Sequence, residues 1–174
     1  MVLALCLVIL FCVTVASCVS DIRRMRIPNT HVVMVLALFV VAFMAAPDAF
    51  HAWWEHGVAL LVFLVLTYVM FAFGMLGAGD AKYGAALALW AGLPGLMAYV
   101  FFMAIAGGVL GVLSLLLRKY RPFKNPPAGS WMATVQDGGN AVPYGIALSI
   151  GAWVSFFHTA VFSHQLDELI KIIH

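Results

Sequence analysis

The sequence predicts an all-α, polytopic transmembrane helical bundle of about six spans, on three observations. Of its 174 residues, 65% are hydrophobic and 9% charged, whereas soluble domains carry roughly 25% charged residues. A globule of this size leaves much of its chain at the surface, so lipid must be the solvent for most of it. Six apolar runs, at 2–19, 30–46, 57–76, 83–93, 96–117 and 141–162, stand near the ~20 residues a helix needs to cross hydrocarbon. The third observation is charge. If the runs alternate across the membrane, the connections 20–29, 77–82 and 118–140 share one side. That side receives Arg23, Arg24, Arg26, Lys82, Arg118, Lys119, Arg121 and Lys124, and the other receives Lys171 with Asp48, Glu55, Asp167 and Glu168. The positive-inside rule then makes the first side cytoplasmic and places both termini outside the cytoplasm. No polar stretch is long enough for a separate soluble domain, so residues 1–174 read as one membrane-embedded domain.

Taken in order, the run 2–19 is expected to remain as the first span. Val15-Ala16-Ser17-Cys18 resembles a cleavage box, but no Lys or Arg precedes the apolar stretch as a signal peptide requires. Its Cys6, Cys12 and Cys18 point to different sides of a helix and form no CxxC pair, so they read as small apolar fillers. The fourth run, 83–93, reaches spanning length only if its helix begins near Gly77 or Asp80; otherwise it is re-entrant. Within the polar segment 118–140, the stretch from Arg118 to Pro127 reads as a basic, proline-stiffened strip along lipid headgroups, with Gly138-Gly139 as a flexible lead-in to the last span. Leu166, Leu169, Ile170 and Ile173 share one face of 165–174, the pattern of a short interfacial helix. His51 and His56 are expected in an outer loop without the spacing of a zinc site. Trp53, Trp54, Trp90, Trp131 and Trp153 are expected mostly near span ends. Metal, cofactor and nucleic-acid partners are not expected.

The chemistry concentrates in two of the seven acidic residues. Asp21 and Asp80 each sit where an apolar run meets the cytoplasmic side. Ionisable groups at a membrane are costly and are functional by default. The arginines and lysines alone put both carboxylates on one face. Two carboxylates that approach within a few ångströms share a proton, because like charges that close cannot both ionise. One can then act as base toward a water while the protonated one polarises a carbonyl. Against this stands the plainer reading that each Asp caps a helix or pairs with a neighbouring base, Arg24 or Lys82. The glycines of Gly77-Ala78-Gly79-Asp80 permit a bent backbone and close approach by a substrate strand. In Ile27-Pro28-Asn29 the proline suits the first turn of the second span, and Asn29 can cap it or bond across the site.

Three motifs together, Asp21 to Ile27-Pro28-Asn29, Gly77-Ala78-Gly79-Asp80-Ala81-Lys82 and Pro143-Tyr144-Gly145, resemble the type IV prepilin peptidase family of GxGD aspartic proteases. The resemblance covers nearly the whole chain in order and spacing. It implies an inner-membrane endopeptidase that removes the short basic leader of prepilins at the cytoplasmic face, with Asp21 and Asp80 as the catalytic pair. It further implies that Pro28, Asn29, Gly77, Gly79, Lys82, Pro143, Tyr144 and Gly145 shape the site or bind substrate. Longer members carry paired CxxC motifs on an added cytoplasmic segment and also methylate the pilin. Without that cysteine set, this chain resembles the short subgroup serving Flp or Tad-type pili. Two other classes compete: a proton-relay transporter subunit, whose carboxylates would be expected deeper in the spans, and a non-catalytic pilus or secretion assembly factor, which would tolerate loss of either aspartate.

Overall fold

The computed structural model describes residues 1–157 and Thr159. Its helices are α1 (Val2–Arg24), α2 (Asn29–Ala45), α3 (Trp53–Ala72), α4 (Ala78–Tyr120), α5 (Trp131–Gln136) and α6 (Tyr144–Phe156), with a 3-10 turn at Pro47–Ala49. No strand occurs among the described residues. Helices α1, α3 and α4 are long and apolar enough to cross a membrane, and α2 and α6 are shorter apolar helices. Val8, Phe11 and Val15 on α1, like Leu61, Val65 and Tyr68 on α3, face outward and are exposed. Helices that are apolar on their outer as well as their inner faces need lipid around them. The chain is a helical membrane bundle.

Helix α4 is in effect two arms. Gly92 stands at φ 63° and ψ 179°, a conformation essentially reserved for glycine. Pro94 follows in the first turn of the second arm, where its missing N–H is harmless. In a straight helix, residues 84 and 99 would lie about 22 Å apart. Instead the Tyr99 hydroxyl donates to the Gly84 carbonyl at 3.2 Å, so the arms 78–91 and 93–120 run back along one another. The fourth and fifth apolar runs are thus a helical hairpin, and the fourth starts at Ala78, near the point its length required. With α1, α2, α3 and α6, the two arms make six apolar helical segments among the described residues.

Small residues bring these segments close. Ala81, Gly84, Ala85, Ala86, Ala88 and Ala91 bury the first arm of α4. A Cβ on Gly84 would lie 2.5 Å from the Phe63 ring of α3 and 2.8 Å from Leu148 of α6. A Cβ on Gly151 of α6 would lie 2.8 Å from the Tyr99 carbonyl oxygen. Lipid tails are as apolar as leucine, so membrane helices associate through such close packing rather than through water exclusion. The first arm therefore runs between α3 and α6, and Phe63 stacks on Tyr99 with ring centroids 4.9 Å apart.

Several expectations fail at this level. His56 lies in α3, not in an outer loop, and is buried. Its ring sits against Phe39 and Phe50, with Nδ1 2.7 Å from the Leu89 carbonyl oxygen. The end of the first arm leaves carbonyls short of helical partners, and an imidazole N–H is a donor that fits there. Trp90 is a core residue, 1% exposed, whose indole N–H donates to the Val35 carbonyl at 3.0 Å. The segment 118–140 also holds α5, beyond the basic stretch, capped by the Ser130 hydroxyl accepting from the Ala133 N–H. Trp131 donates to Ser114 and to the Ala141 carbonyl, and Gln136 pairs both ways with the backbone of Phe123. Its bases Arg118, Lys119, Arg121 and Lys124 stay exposed. The expected interfacial helix at 165–174 lies outside the described residues.

The Gly92 turn yields a paired test. A Cβ at Gly92 would lie 3.0 Å from His56 Cε1 at a positive φ, whereas one at Gly108 meets nothing within 4 Å. Gly92→Ala should lower the thermal unfolding midpoint in detergent, with a cost of ~1–3 kcal/mol. Gly108→Ala should leave the midpoint unchanged or raise it slightly.

Candidate active site

The end of α1 is built to return the chain at once. Met25 takes a left-handed conformation at φ 51°, and its N–H donates to the Asp21 carbonyl at 2.8 Å. The Ser20 hydroxyl donates to the Arg26 carbonyl at 2.8 Å and holds the return strand against the helix. Pro28 then sits at the N-cap of α2 with extended backbone, and Asn29 opens the helix. No side chain caps α2, so Asn29 does not take the capping role its position allowed.

Within this hook Asp21 is 3% exposed. Its Oδ2 accepts the backbone N–H of Gly145 at 2.8 Å. Gly145 lies in the first turn of α6, behind Pro143 at the N-cap. The first N–H groups of a helix have no partner within it, and the helix dipole favours an acceptor there. Asp21 thus caps a helix that begins more than a hundred residues later in the chain. Position 145 is crowded: a Cβ would lie 2.9 Å from Ile27 Cδ1 and 3.0 Å from Asp21 Oδ2.

Asp80 arrives from the other side. Gly77 is the N-cap of α4 and Asp80 the third residue of the helix, so its carboxylate can reach back to the open end as in a capping box. A Cβ on Gly77 would lie 2.7 Å from Asp80 Oδ2. Gly79 brings this turn onto the α1–α2 hook, since its own Cβ would stand 3.5 Å from the Ile27 carbonyl oxygen. The buried side chain of Ile27 meets Gly145 and its backbone meets Gly79. Through it, one residue locates both carboxylates. The two carboxylates lie within electrostatic reach of one another. Among the described residues neither is paired with a base, so the expected alternatives of Arg24 and Lys82 as local ion-pair partners are not realised. The helix-capping alternative is realised for Asp21, on a helix distant in the chain.

Two open clefts meet at Asp80. One, about 360 Å³, is lined by Met25, Arg26, Ile27, Asn29, Gly77, Ala78, Gly79, Asp80 and Lys82. The other, about 370 Å³, is lined by Met25, Gly74–Gly77, Asp80, Asn140–Val142 and Tyr144. Asp21 lines neither cleft and lies buried beside them. The structure therefore brings all ten sequence-predicted residues to one end of the bundle. Asp80, Asn29, Gly77, Gly79, Lys82 and Tyr144 line the clefts, while Asp21, Pro143 and Gly145 are buried and Pro28 shapes the hook from its exposed position. The sequence reading missed Met25, shared by both clefts, and Ile27 as the contact point. It also missed the hydrogen-bonded pair of Tyr83 and Ser149, whose hydroxyls are 2.9 Å apart one turn below. Their signal was present as isolated hydroxyls three residues after Asp80 and four after Gly145.

The family model described as the type IV leader peptidase family matches residues 7–112. A prepilin leader peptidase/N-methyltransferase of Xanthomonas campestris pv. campestris is 32% identical over 82 residues, covering 47% of this chain and 23% of the relative. The matched stretch thus spans about a quarter of that relative's length. No solved structure matches. The residues matched by the family model contain Asp21 and Asp80 but end before Pro143-Tyr144-Gly145, which reaches Asp21 through the fold.

Gly145→Ala should separate Asp21 from the N–H that satisfies it. Loss of a hydrogen bond to a buried carboxylate costs ~1–3 kcal/mol, read as a lower unfolding midpoint in detergent. An unchanged midpoint would mean that α6 does not depend on this contact.

Proposed function

We propose a peptidase function from one premise: this chain belongs to the type IV leader peptidase family. It acts as an aspartic endopeptidase that removes the basic leader from Flp-like prepilins. The observation that supports the reading is that two carboxylates from separate helices, neither paired with a base among the described residues, lie within electrostatic reach of one another, with two clefts that share Asp80. An endopeptidase must hold chain on both sides of the bond it cuts, and clefts flanking one carboxylate suit that requirement.

In the reaction, Asp21 and Asp80 share one proton between them. The ionised carboxylate takes a proton from a water, and the protonated one donates a hydrogen bond to the scissile carbonyl oxygen. The hydroxide equivalent adds to the carbonyl carbon, and the proton passes to the leaving nitrogen as the C–N bond breaks. Asp80 faces the substrate, and Asp21, held by Gly145, keeps a fixed position beside it. A prepilin joins a basic leader to an apolar helix, so its cleavage point stands at the membrane boundary. A site at the helix ends meets that bond without drawing it into hydrocarbon. Arg26 and Lys82 line one cleft, so the leader's own cations are left to anionic headgroups outside it.

The clustering of bases on this side supports a bacterial inner-membrane location with the site facing the cytoplasm and both termini outside it. The whole of residues 1–174 acts as one membrane-embedded unit. Pilin methylation is not part of the proposal.

Co-expression with an Flp-type prepilin tests the chemistry. Asp21→Asn and Asp80→Asn should each abolish leader removal, a loss of at least ~10³-fold, while the protein accumulates in the membrane. Normal processing by either variant would sink the assignment. Orientation is tested separately with a single cysteine at Lys124 in a cysteine-free background. An impermeant maleimide should label it only after the cytoplasm is opened.

A further inference from the structure

We propose that Tyr83 and Ser149 are positioning residues for the two carboxylates, an inference that rests on the peptidase reading above. Tyr83 follows Asp80 by three residues on the first arm of α4, and Ser149 follows Gly145 by four on α6. Three and four residues are the spacings that keep side chains on one helical face. The α-carbons of Tyr83 and Ser149 therefore stand about 4.5 and 6 Å along the helices from those of Asp80 and Gly145. One helix carries Asp80, and the other carries the amide that grips Asp21. A bond between Tyr83 and Ser149 consequently fixes the distance between the two halves of the site.

That bond is 2.9 Å long and buried, with Tyr83 0% and Ser149 5% exposed. Its direction follows from proton counting. Ser149 has one hydroxyl proton and donates it to the Gly145 carbonyl at 2.7 Å. Its oxygen is left to accept, so Tyr83 is the donor. The result is an ordered chain: Tyr83 donates to Ser149, Ser149 donates to the Gly145 carbonyl, and the Gly145 N–H donates to Asp21. The Cys18 thiol, one helical turn before Asp21, points at the same Gly145 carbonyl at 3.7 Å. Apolar packing alone would bring α4 and α6 together, as Gly84 against Leu148 does. Packing of methyl groups tolerates sliding along the helix axes, whereas a hydrogen bond between two buried hydroxyls sets one register.

The test uses the full chain in lipid nanodiscs and a purified prepilin substrate. Tyr83→Phe keeps the ring and removes only the donor; Ser149→Ala removes the acceptor. Each should lower kcat by about tenfold with KM within twofold, because the bond contributes in the reacting geometry rather than in substrate binding. The pH profile of kcat should change shape, since the separation of two coupled carboxylates sets its limbs. The double variant should be no slower than the slower single one, because both remove the same bond. The inference is overturned if Tyr83→Phe keeps the parental kcat and pH profile. It is equally overturned if kcat falls only in proportion to the folded fraction with an unaltered profile, or if the two losses multiply. Failure of the underlying reading is a separate result: activity surviving Asp21→Asn or Asp80→Asn would remove the pair itself, whatever Tyr83→Phe does.

Discussion

The bond from the Gly145 N–H to Asp21 is the contact on which the arrangement of this bundle depends. A carboxylate that is 3% exposed in a lipid-embedded chain must find donors within the protein, since burying an unsatisfied charge or polar group is costly. A helix N-terminus supplies free N–H groups and needs an acceptor in return. Satisfying both groups with one contact at 2.8 Å forces the end of α1 against the start of α6. The close approach crowds position 145, and it gives Ile27 its place between Gly145 and Gly79. Once the α1–α2 hook is pinned there, the glycine turn before α4 has a surface to rest on, and Asp80 follows.

The same constraint sorts regular from irregular backbone. In lipid, non-helical chain is tolerable only beside protein or water. The non-helical stretches around Met25, Gly74–Gly77 and Asn140–Val142 line one cleft together, where they shield one another and stay open to solvent. The sharp turn at Gly92 lies elsewhere, packed under His56, with the Leu89 carbonyl served by the imidazole. The two arrangements differ in kind. At Gly92 an aromatic-lined contact closes the backbone off, and at the aspartates the backbone is left accessible, which is the condition a hydrolytic site needs.

Much of this could be read in advance because membrane sequences are strongly constrained. Hydropathy located the apolar runs, and the shortness of 83–93 pointed to a helix beginning before Tyr83, as α4 does. The glycines of the GxGD turn were expected to admit a substrate strand; within the fold, Gly79 lies against Ile27, and Gly145 against Ile27 and Asp21. What could not be read were partners distant in the chain. His56 looked like a loop residue because its polarity was judged against its neighbours in sequence, and its acceptor at Leu89 belongs to another helix. Trp90 stands near a span end as expected, two residues before Gly92, yet its indole N–H finds the Val35 carbonyl in the core. Tyr83 and Ser149 carried no motif, and only their 2.9 Å meeting gives them meaning.

The sequence by itself determined the solvent of this protein, its helical class, its family and the identity of two unusual carboxylates. Each of these follows from composition, local spacing or motif, which are properties of the chain alone. Tertiary structure decided how Asp21 is held, that Gly92 turns the two arms of α4 back on one another, and that Asp80 stands between two clefts. Those depend on which groups meet in space, as Asp21 and Gly145 do across more than a hundred residues. A buried hydrogen bond is fixed by its two ends in space, and no reading of one end along the chain reveals the other.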